Sequence, residues 1–390
     1  MPVDKCRVCG NSFFDEPLLK YKNMPKSAQY FPDAATLHLD KGVNMTVCQC
    51  SACGLVQLSN DPVPYFREVI RAAGISKEMT DFRRTQFRAF VEKYTLRQKK
   101  AIEIGCGHGE YLSILETLDL DSHGLEYAEE AVNLCREKGL KVSQGFIDSR
   151  KYPLDNAPFS VFLILNFLEH LPAPNTTLAG IWHNLKDGGI GIVEVPNFDM
   201  MLKNDLFTEF ISDHLFYFTK ETLTTTLALN GFELLDCSTI WYDYIISAQV
   251  RKRAKINLSR FDLRRSQLEN ELHTYIDGFK PKTVAIWGAG HQALAIMSML
   301  NLAEKIRFVI DSASFKQERY TPATHIEIVP PEALDCNNIQ AIIIMAGSYS
   351  DEVADIVKKR YGRRTSVAVL RGDGLQIVDN DCNNSGHDLE

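Results

Sequence analysis

An apolar run, Ala101-Ile-Glu-Ile104, leads straight into Gly105-Cys-Gly107-His-Gly109 and then into a helix-like stretch. Three glycines on alternate positions between a strand and a helix let backbone approach a ligand closely, with the amide end of the following helix aimed at it. The residues downstream narrow the choice of fold. His123 to Glu126, Phe159 to Leu165 and Gly189 to Glu194 read as further strands, separated by helix-like segments. Such alternation predicts a mostly parallel sheet covered on both faces, an α/β domain of Rossmann type.

The strand after the glycine turn ends at Glu126, seventeen residues past Gly109. An acidic side chain there accepts hydrogen bonds from both ribose hydroxyls of a nucleoside. A dinucleotide site brings G-x-G-x-x-G, whereas here Glu103 stands two residues before Gly105 in a Glu-x-Gly-x-Gly-x-Gly run. That spacing favours S-adenosylmethionine (SAM).

Near the start, two Cys-x-x-Cys pairs, Cys6/Cys9 and Cys50/Cys53, are separated by 40 residues. Each pair presents two thiolates from a tight turn, and four thiolates in tetrahedral array suit a structural zinc ion with no open position for chemistry. A redox role competes, but neither pair follows a strand of a βαβ unit. Cys48 is a fifth thiol close enough to enter the ligand set. Half of the ten cysteines fall within the first 53 residues, a clustering that points to metal rather than to disulfides.

At 390 residues the chain suits two or three domains. Residues 1–62 are loop-rich and need a staple to fold, so they form the zinc-binding domain. A helical lead-in, with Phe82, Phe87, Phe90, Val91 and Tyr94 near helical spacing, opens the nucleoside-binding domain of residues 63–250. Residues 251–279, with Leu258, Phe261, Leu268, Leu272 and Tyr275 among many charges, predict a linker helix. A second Rossmann-like unit spans 280–378: Gly288-Ala-Gly290 follows a strand and Asp311 closes the next. Residues 379–390 read as a disordered tail. The formal net charge of −7 gives no pull toward nucleic acid or an anionic membrane. No apolar run reaches the ~18 residues of a membrane span, and the first residues lack a hydrophobic signal core. We therefore expect a cytoplasmic protein with a small-molecule partner, no nucleic acid and no membrane, as a monomer or homodimer.

Three further segments carry a resemblance. Asn166-Phe-Leu-Glu169-His170-Leu-Pro172 follows the fourth strand, Leu185-Lys-Asp-Gly188-Gly189 precedes the fifth, and Ile211-Ser-Asp213-His214-Leu-Phe216-Tyr217-Phe218 lies beyond it. With the glycine run and Glu126, the first two resemble class I SAM-dependent methyltransferases over roughly residues 95–240. With the cysteine pairs and the trailing unit, the whole chain is similar to the sugar C-methyltransferases of deoxysugar biosynthesis. The resemblance implies that Glu103, Gly105, Gly107 and Gly109 line the methionine side of SAM, Glu126 the ribose, Phe146 and Ile147 the adenine, and Asn166 the sulfonium. It also implies a nucleotide-linked keto sugar as acceptor, methylated at carbon beside the keto group, with the second Rossmann-like unit helping to hold the nucleotide.

In that family a Tyr-x-Glu-His-like stretch supplies the base, so His214 aligns with the base and Asp213 with the carboxylate that orients it. His170 is a second candidate base. Isoleucine stands at 211 where the resemblance expects tyrosine, which removes one hydrogen-bond donor from an enolate. The segment Arg67-Glu-Val-Ile-Arg71-Ala-Ala-Gly-Ile-Ser76 also departs from the serine-rich acceptor loop of that family. Two other readings stand beside this one: methylation of oxygen or nitrogen on another metabolite, which needs only one base, and a non-catalytic zinc-bearing binding protein. Each histidine has a structural reading as a satisfied core or capping group. Glu194, at the end of the fifth strand, either touches the acceptor or faces solvent.

Overall fold

The computed structural model describes residues 3–29, 31–68, 76–361 and 364–378, and the chain divides into two compact units, Met1–Lys255 and Ile256–Glu390. In the first unit, strands β1 (Leu19–Met24), β2 (Val43–Gln49) and β3 (Val56–Leu58) form a small antiparallel sheet. The lead-in helix α1 (Lys77–Lys93) starts at Ser76, whose hydroxyl accepts the Met79 N–H at 3.1 Å. It buries Arg83, Phe87, Phe90 and Val91 on one face, the three-to-four residue period expected of a helix with one apolar side.

The main sheet has seven strands: β4 (Lys100–Ile104), β5 (Asp121–Glu126), β6 (Val142–Gln144), β7 (Phe159–Leu165), β8 (Leu185–Pro196), then β10 (Phe232–Ile240) and β11 (Ile245–Lys252), with the short β9 (Phe216–Tyr217) between β8 and β10 in the chain. Their order is β10-β11-β8-β7-β4-β5-β6. β11 runs antiparallel to both its neighbours and the other pairings are parallel. From β4 the chain winds outward through β5 and β6, then returns to place β7 and β8 on the other side. The carboxyl ends of β4 and β7 are thus the topological switch point, where open α/β sheets bind ligands. Helices α2 (Glu110–Glu116), α3 (Glu129–Glu137), α4 (Pro174–His183), α5 (Phe198–Lys203) and α6 (Lys220–Leu229) complete the unit. All but one residue of β7 are buried, as covering of both faces requires.

β9 does not join the main sheet. It pairs with β3, Val56 opposite Tyr217 and Gln57 opposite Phe216, so it is the fourth strand of the N-terminal sheet. The cysteine-bearing segment is therefore built onto the unit of the main sheet and shares its main core, which holds Cys6, Cys50, Leu55, Phe162, Val193 and Phe216 together.

The second unit carries strands β12 (Val284–Trp287), β13 (Ile306–Ile310), β14 (Arg319–Tyr320), β15 (Glu327–Val329), β16 (Ala341–Ile344), β17 (Ser366–Leu370) and β18 (Leu375–Val378), in the order β14-β15-β13-β12-β16-β17-β18 with a parallel centre. Helix α7 (Ser259–Asp277), expected as a linker, packs Leu272, Tyr275 and Ile276 into this unit's core. Leu258, just before it, and Phe261, in its first turn, are exposed. The expected tail at 379–390 lies outside the described residues. No described helix is long and apolar enough to cross a membrane.

Candidate functional site

The two Cys-x-x-Cys pairs converge. Each turn closes by a glycine N–H on the first cysteine's carbonyl, Gly10 to Cys6 at 3.0 Å and Gly54 to Cys50 at 3.2 Å. The Sγ atoms of Cys6 and Cys53 are 3.7 Å apart, those of Cys9 and Cys50 3.3 Å, and all four lie within 4.8 Å of one another. Thiolates bound at ~2.3 Å around a tetrahedral zinc stand roughly 3.8 Å apart, so the quartet fits such an ion after small movements. The Ala52 and Cys53 N–H groups point at Cys50 Sγ, each at 3.4 Å, and the Gln57 side chain donates to Cys6 Sγ at 3.2 Å. Donors of this kind offset the negative charge of thiolates. Cys48 stays outside the quartet, and burial pushes its thiol up.

At the switch point, Glu103 is fully buried on β4. Gly109 caps α2 with φ of 78°, and a Cβ there would lie 2.4 Å from the Leu140 side chain. Gly105, at φ 71°, leaves room for the Phe167 ring, which a Cβ would approach to 2.9 Å. Both positions therefore demand glycine. Glu126 holds the turn in place: one carboxylate oxygen accepts the Gly107 N–H at 2.8 Å, and the other accepts the N–H groups of Tyr127 at 2.8 Å and Ala128 at 3.0 Å. A carboxylate offers about four acceptor positions. Backbone takes three, which leaves one open, where a contact to both ribose hydroxyls was expected to need two.

A narrow cleft lies beside it, lined by Arg67, Gly105, Glu126, Tyr127, Phe146 and Phe167, with Ile147. The Arg67 guanidinium lies over the rings of Phe66 at 4.9 Å, Phe146 at 5.2 Å and Tyr127 at 5.7 Å. This aromatic wall suits a flat purine. Phe146 and Ile147, expected at the adenine, line this cleft, together with Tyr127 and Arg67, which were not among the expected cofactor residues. Tyr127 had one signal, its place directly after the acidic strand end, whereas nothing local marks Phe66 and Arg67. The rest of the divergent acceptor segment, residues 69–75, lies outside the described residues. Asn166, at φ 50°, ends β7 in a left-handed conformation with its N–H on the Glu194 carbonyl at 2.9 Å, and its buried side-chain oxygen has no partner among the described residues.

His170 and His214 meet. His170 closes a single 3₁₀ turn, Leu168–His170, after β7, and His214 sits just before β9. Their rings are 4.7 Å apart and edge to face. His170 Nδ1 bonds to the Asp213 carbonyl at 2.7 Å, so Nδ1 carries the hydrogen and Nε2 the lone pair. Burial pulls His170 down to about 4, against the opposing pull of Asp213; burial and the neighbouring His170 pull His214 down to about 3. Both imidazoles are neutral at physiological pH and able to accept a proton.

Asp213 does not orient His214 through its carboxylate as expected. One oxygen accepts the Tyr65 hydroxyl at 2.7 Å and the other the Ala28 N–H at 2.9 Å. The short aspartate reaches toward the N-terminal segment, and its link to the histidine pair runs through its backbone carbonyl. Glu169, beside His170, is also buried, and burial pushes its carboxyl up to about 8.

Glu194 neither faces solvent nor is free to touch an acceptor. It is fully buried and paired with Arg83 at 2.5 Å, with Gln86 and Ser247 on its second oxygen. In the second unit, the Asp311 carboxylate accepts the N–H groups of Ala289 and Ala313, each at 2.9 Å, and binds Lys316 Nζ at 2.9 Å. A lysine therefore already neutralises the acidic group of this glycine turn.

Residues 77–236 match the family described as a methyltransferase domain, and residues 251–369 the one described as a C-methyltransferase C-terminal domain. Over 391 residues the chain is 21% identical to C-methyltransferase NovU of Streptomyces niveus, which spans 92% of this chain and 93% of that protein. A stretch of 107 residues is 31% identical to a ubiquinone biosynthesis O-methyltransferase of Methylococcus capsulatus, covering 26% of this chain and 45% of that one. Among solved structures, an S-adenosylmethionine-dependent methyltransferase from Clostridium acetobutylicum matches with a TM-score of 0.39 and 14% identity, over 48% of this chain and 96% of its own.

Proposed function

We propose that this chain, a SAM-dependent methyltransferase with a class I domain and a C-methyltransferase C-terminal domain, methylates a nucleotide-linked keto sugar at carbon beside its keto group. The observation that carries this reading is the pair of neutral imidazoles of His170 and His214, the first buried and the second partly so, with the His170 N–H on the carbonyl of Phe167, which lines the cleft. Removal of a proton from carbon needs a positioned base in its unprotonated form. Bound SAM supplies an electrophilic methyl group on sulfonium. The protein's part is to align acceptor carbon with that methyl group and to remove a proton.

In this reading His214, which keeps part of its surface open, takes the proton. His170, locked by its bond to the Asp213 carbonyl, holds the ring of His214 against its own edge. Glu103 and the glycines at 105, 107 and 109 cradle the methionine end, Glu126 the ribose, the Phe146 and Ile147 wall the adenine, and Asn166 the sulfonium side. Tyr65 and Ala28, through Asp213, tie the N-terminal segment over the same loop, which supports a role for the cysteine-stapled domain as a lid on the acceptor. The fit of the four thiolates to a tetrahedral ion supports zinc as that staple, and the absence of an open position keeps it out of the chemistry.

Mass spectrometry after incubation with methyl-labelled SAM and a panel of nucleotide-linked keto sugars tests the reading. Label stable on carbon of a keto sugar is the expected result; label on oxygen or nitrogen would replace it with the second reading.

A further inference from the structure

The position at which the resemblance places a phenol is Ile211, so the enolate oxygen formed during methylation at carbon lacks that donor. Three tyrosines stand nearby and all are committed, Tyr244 by donating to Glu209 at 3.3 Å. Tyr65 is bonded to the Asp213 carboxylate at 2.7 Å. The Tyr217 hydroxyl accepts the Ile211 N–H at 3.0 Å and faces the Ile211 carbonyl at 3.3 Å. The Asp213 carboxylate is held as an acceptor by the Tyr65 hydroxyl and the Ala28 N–H. One polar group in this cluster has an unspent atom: Glu169, 1% exposed, whose Oε2 is buried with no partner among the described residues.

We infer that the carboxyl group of Glu169, carrying its proton, donates the hydrogen bond that stabilises the enolate oxygen of the acceptor while His214 takes the proton from the neighbouring carbon. This rests on the reading that the acceptor is methylated beside a keto group. The geometry supports it in three ways. Oxygen of Glu169 and ring nitrogens of His170 and His214 all fall within 4.8 Å of one another, a separation that lets one group serve a carbon and another the oxygen bonded to the next carbon. Glu169 Oε1 is 3.8 Å from His170 Nε2, the nitrogen left with a lone pair, and a protonated carboxyl complements that lone pair where an ionised one would oppose it. Glu169 makes no ion pair with lysine or arginine among the described residues, and burial pushes its carboxyl in the same direction, up to about 8. The titratable groups that face it are His170, His214 and Tyr244, whose phenol is raised first by its own burial and partly by Glu169. A carboxylic acid kept neutral in an apolar site is a known way to build such a donor.

The electrons balance as follows. The C–H bond breaks and the proton goes to a ring nitrogen of His214. Its pair forms the enolate C=C bond as the carbonyl π pair moves to oxygen, where the Glu169 hydroxyl donates. The enolate carbon then bonds the methyl group, whose bond to sulfur breaks with its pair on sulfur, and the carbonyl re-forms. His214 returns its proton to water.

The test uses the full chain with S-adenosylhomocysteine and a panel of nucleoside-diphosphate-linked keto hexoses in deuterium oxide, reading exchange beside the keto group, together with kcat for methyl transfer. Glu169→Ala should slow both by about 100- to 1,000-fold with SAM affinity unchanged. Glu169→Gln, which keeps an N–H donor, should retain an intermediate rate. The wild type should show an alkaline fall of kcat as pH rises through about 8, and Glu169→Gln should lose it. Wild-type exchange by Glu169→Ala, or an unaltered alkaline limb in Glu169→Gln, would overturn the assignment. If the alanine variant does not fold, the pH profile of the glutamine variant decides alone. No exchange by the wild type on any member of the panel would instead remove the keto-carbon reading, and this inference with it.

Discussion

Replacing Glu126 by glutamine is close to isosteric yet should be severe, because the carboxylate serves three backbone donors at once. The amide oxygen can keep the Tyr127 and Ala128 bonds at 2.8 and 3.0 Å, but the NH₂ group then faces the Gly107 N–H, which sits 2.8 Å from the other carboxylate oxygen. That is donor against donor in a buried turn. The NH₂ also fills the one acceptor position left for a ribose hydroxyl. A hydrogen bond to a charged group contributes about 1.5–3 kcal/mol, so losing the ribose contact alone raises the Kd by about 10- to 100-fold, and loosening the glycine turn adds to it. Calorimetric titration with S-adenosylhomocysteine reads this directly, with a thermal melt to confirm the fold. A Kd within twofold of wild type in a folded Glu126→Gln protein would refute both the assignment of Glu126 and the count of its acceptor positions.

Other outcomes follow from the same geometry. Metal analysis should find about one zinc per chain, lost in Cys53→Ser together with increased hydrogen exchange over residues 211–218; a folded wild-type protein free of metal would sink the staple. His214→Ala should abolish turnover while SAM still binds. Because both imidazoles lie below their ordinary range, at about 3 and 4, the neutral base persists as pH falls, and kcat/KM should show no acid loss near pH 6.5; a loss there would contradict the buried base. Arg83→Met strands the fully buried Glu194 carboxylate and should destabilise the fold by about 3–5 kcal/mol. The double variant with Glu194→Leu should recover most of that loss in urea melts, and a single variant within 1 kcal/mol of wild type would show the pair to be solvated.

The parallel core was legible because its strands are continuous apolar runs: Ala101–Ile104 and Phe159–Leu165 needed no partner to be recognised. The cysteine quartet was legible for a similar reason, since two Cys-x-x-Cys turns bring their own local geometry. β10 and β11 were not seen, because Glu233, Asp236 and Arg251 lie among their apolar positions and their alternation is broken by a register shift between Leu234 and Asp236. β9 has only two residues and exists because β3 offers it an edge. In the site, His170 and His214 were found by motif, whereas Glu169, quoted in the same segment, was given no role: a carboxylate in a polar-looking string gives no sign that folding will bury it. The expected partner of Asp213 was wrong in direction, since Tyr65 and Ala28 lie 148 and 185 residues away in the chain and no local pattern announces them.

The pairing of β9 with β3 carries a practical lesson. Gln57 donates to Cys6 Sγ while its backbone lies opposite Phe216, and Leu215 bonds the Leu58 N–H on one side and the Glu169 carbonyl on the other. The Cys-x-x-Cys turns and the loop that carries the proposed base are stitched by single residues. A preparation short of metal should therefore behave as a mixture of competent and silent molecules, with fewer working sites and not slower ones. Chimeras meant to exchange acceptor preference between relatives would have to carry residues 3–62 and 211–218 as one inherited block.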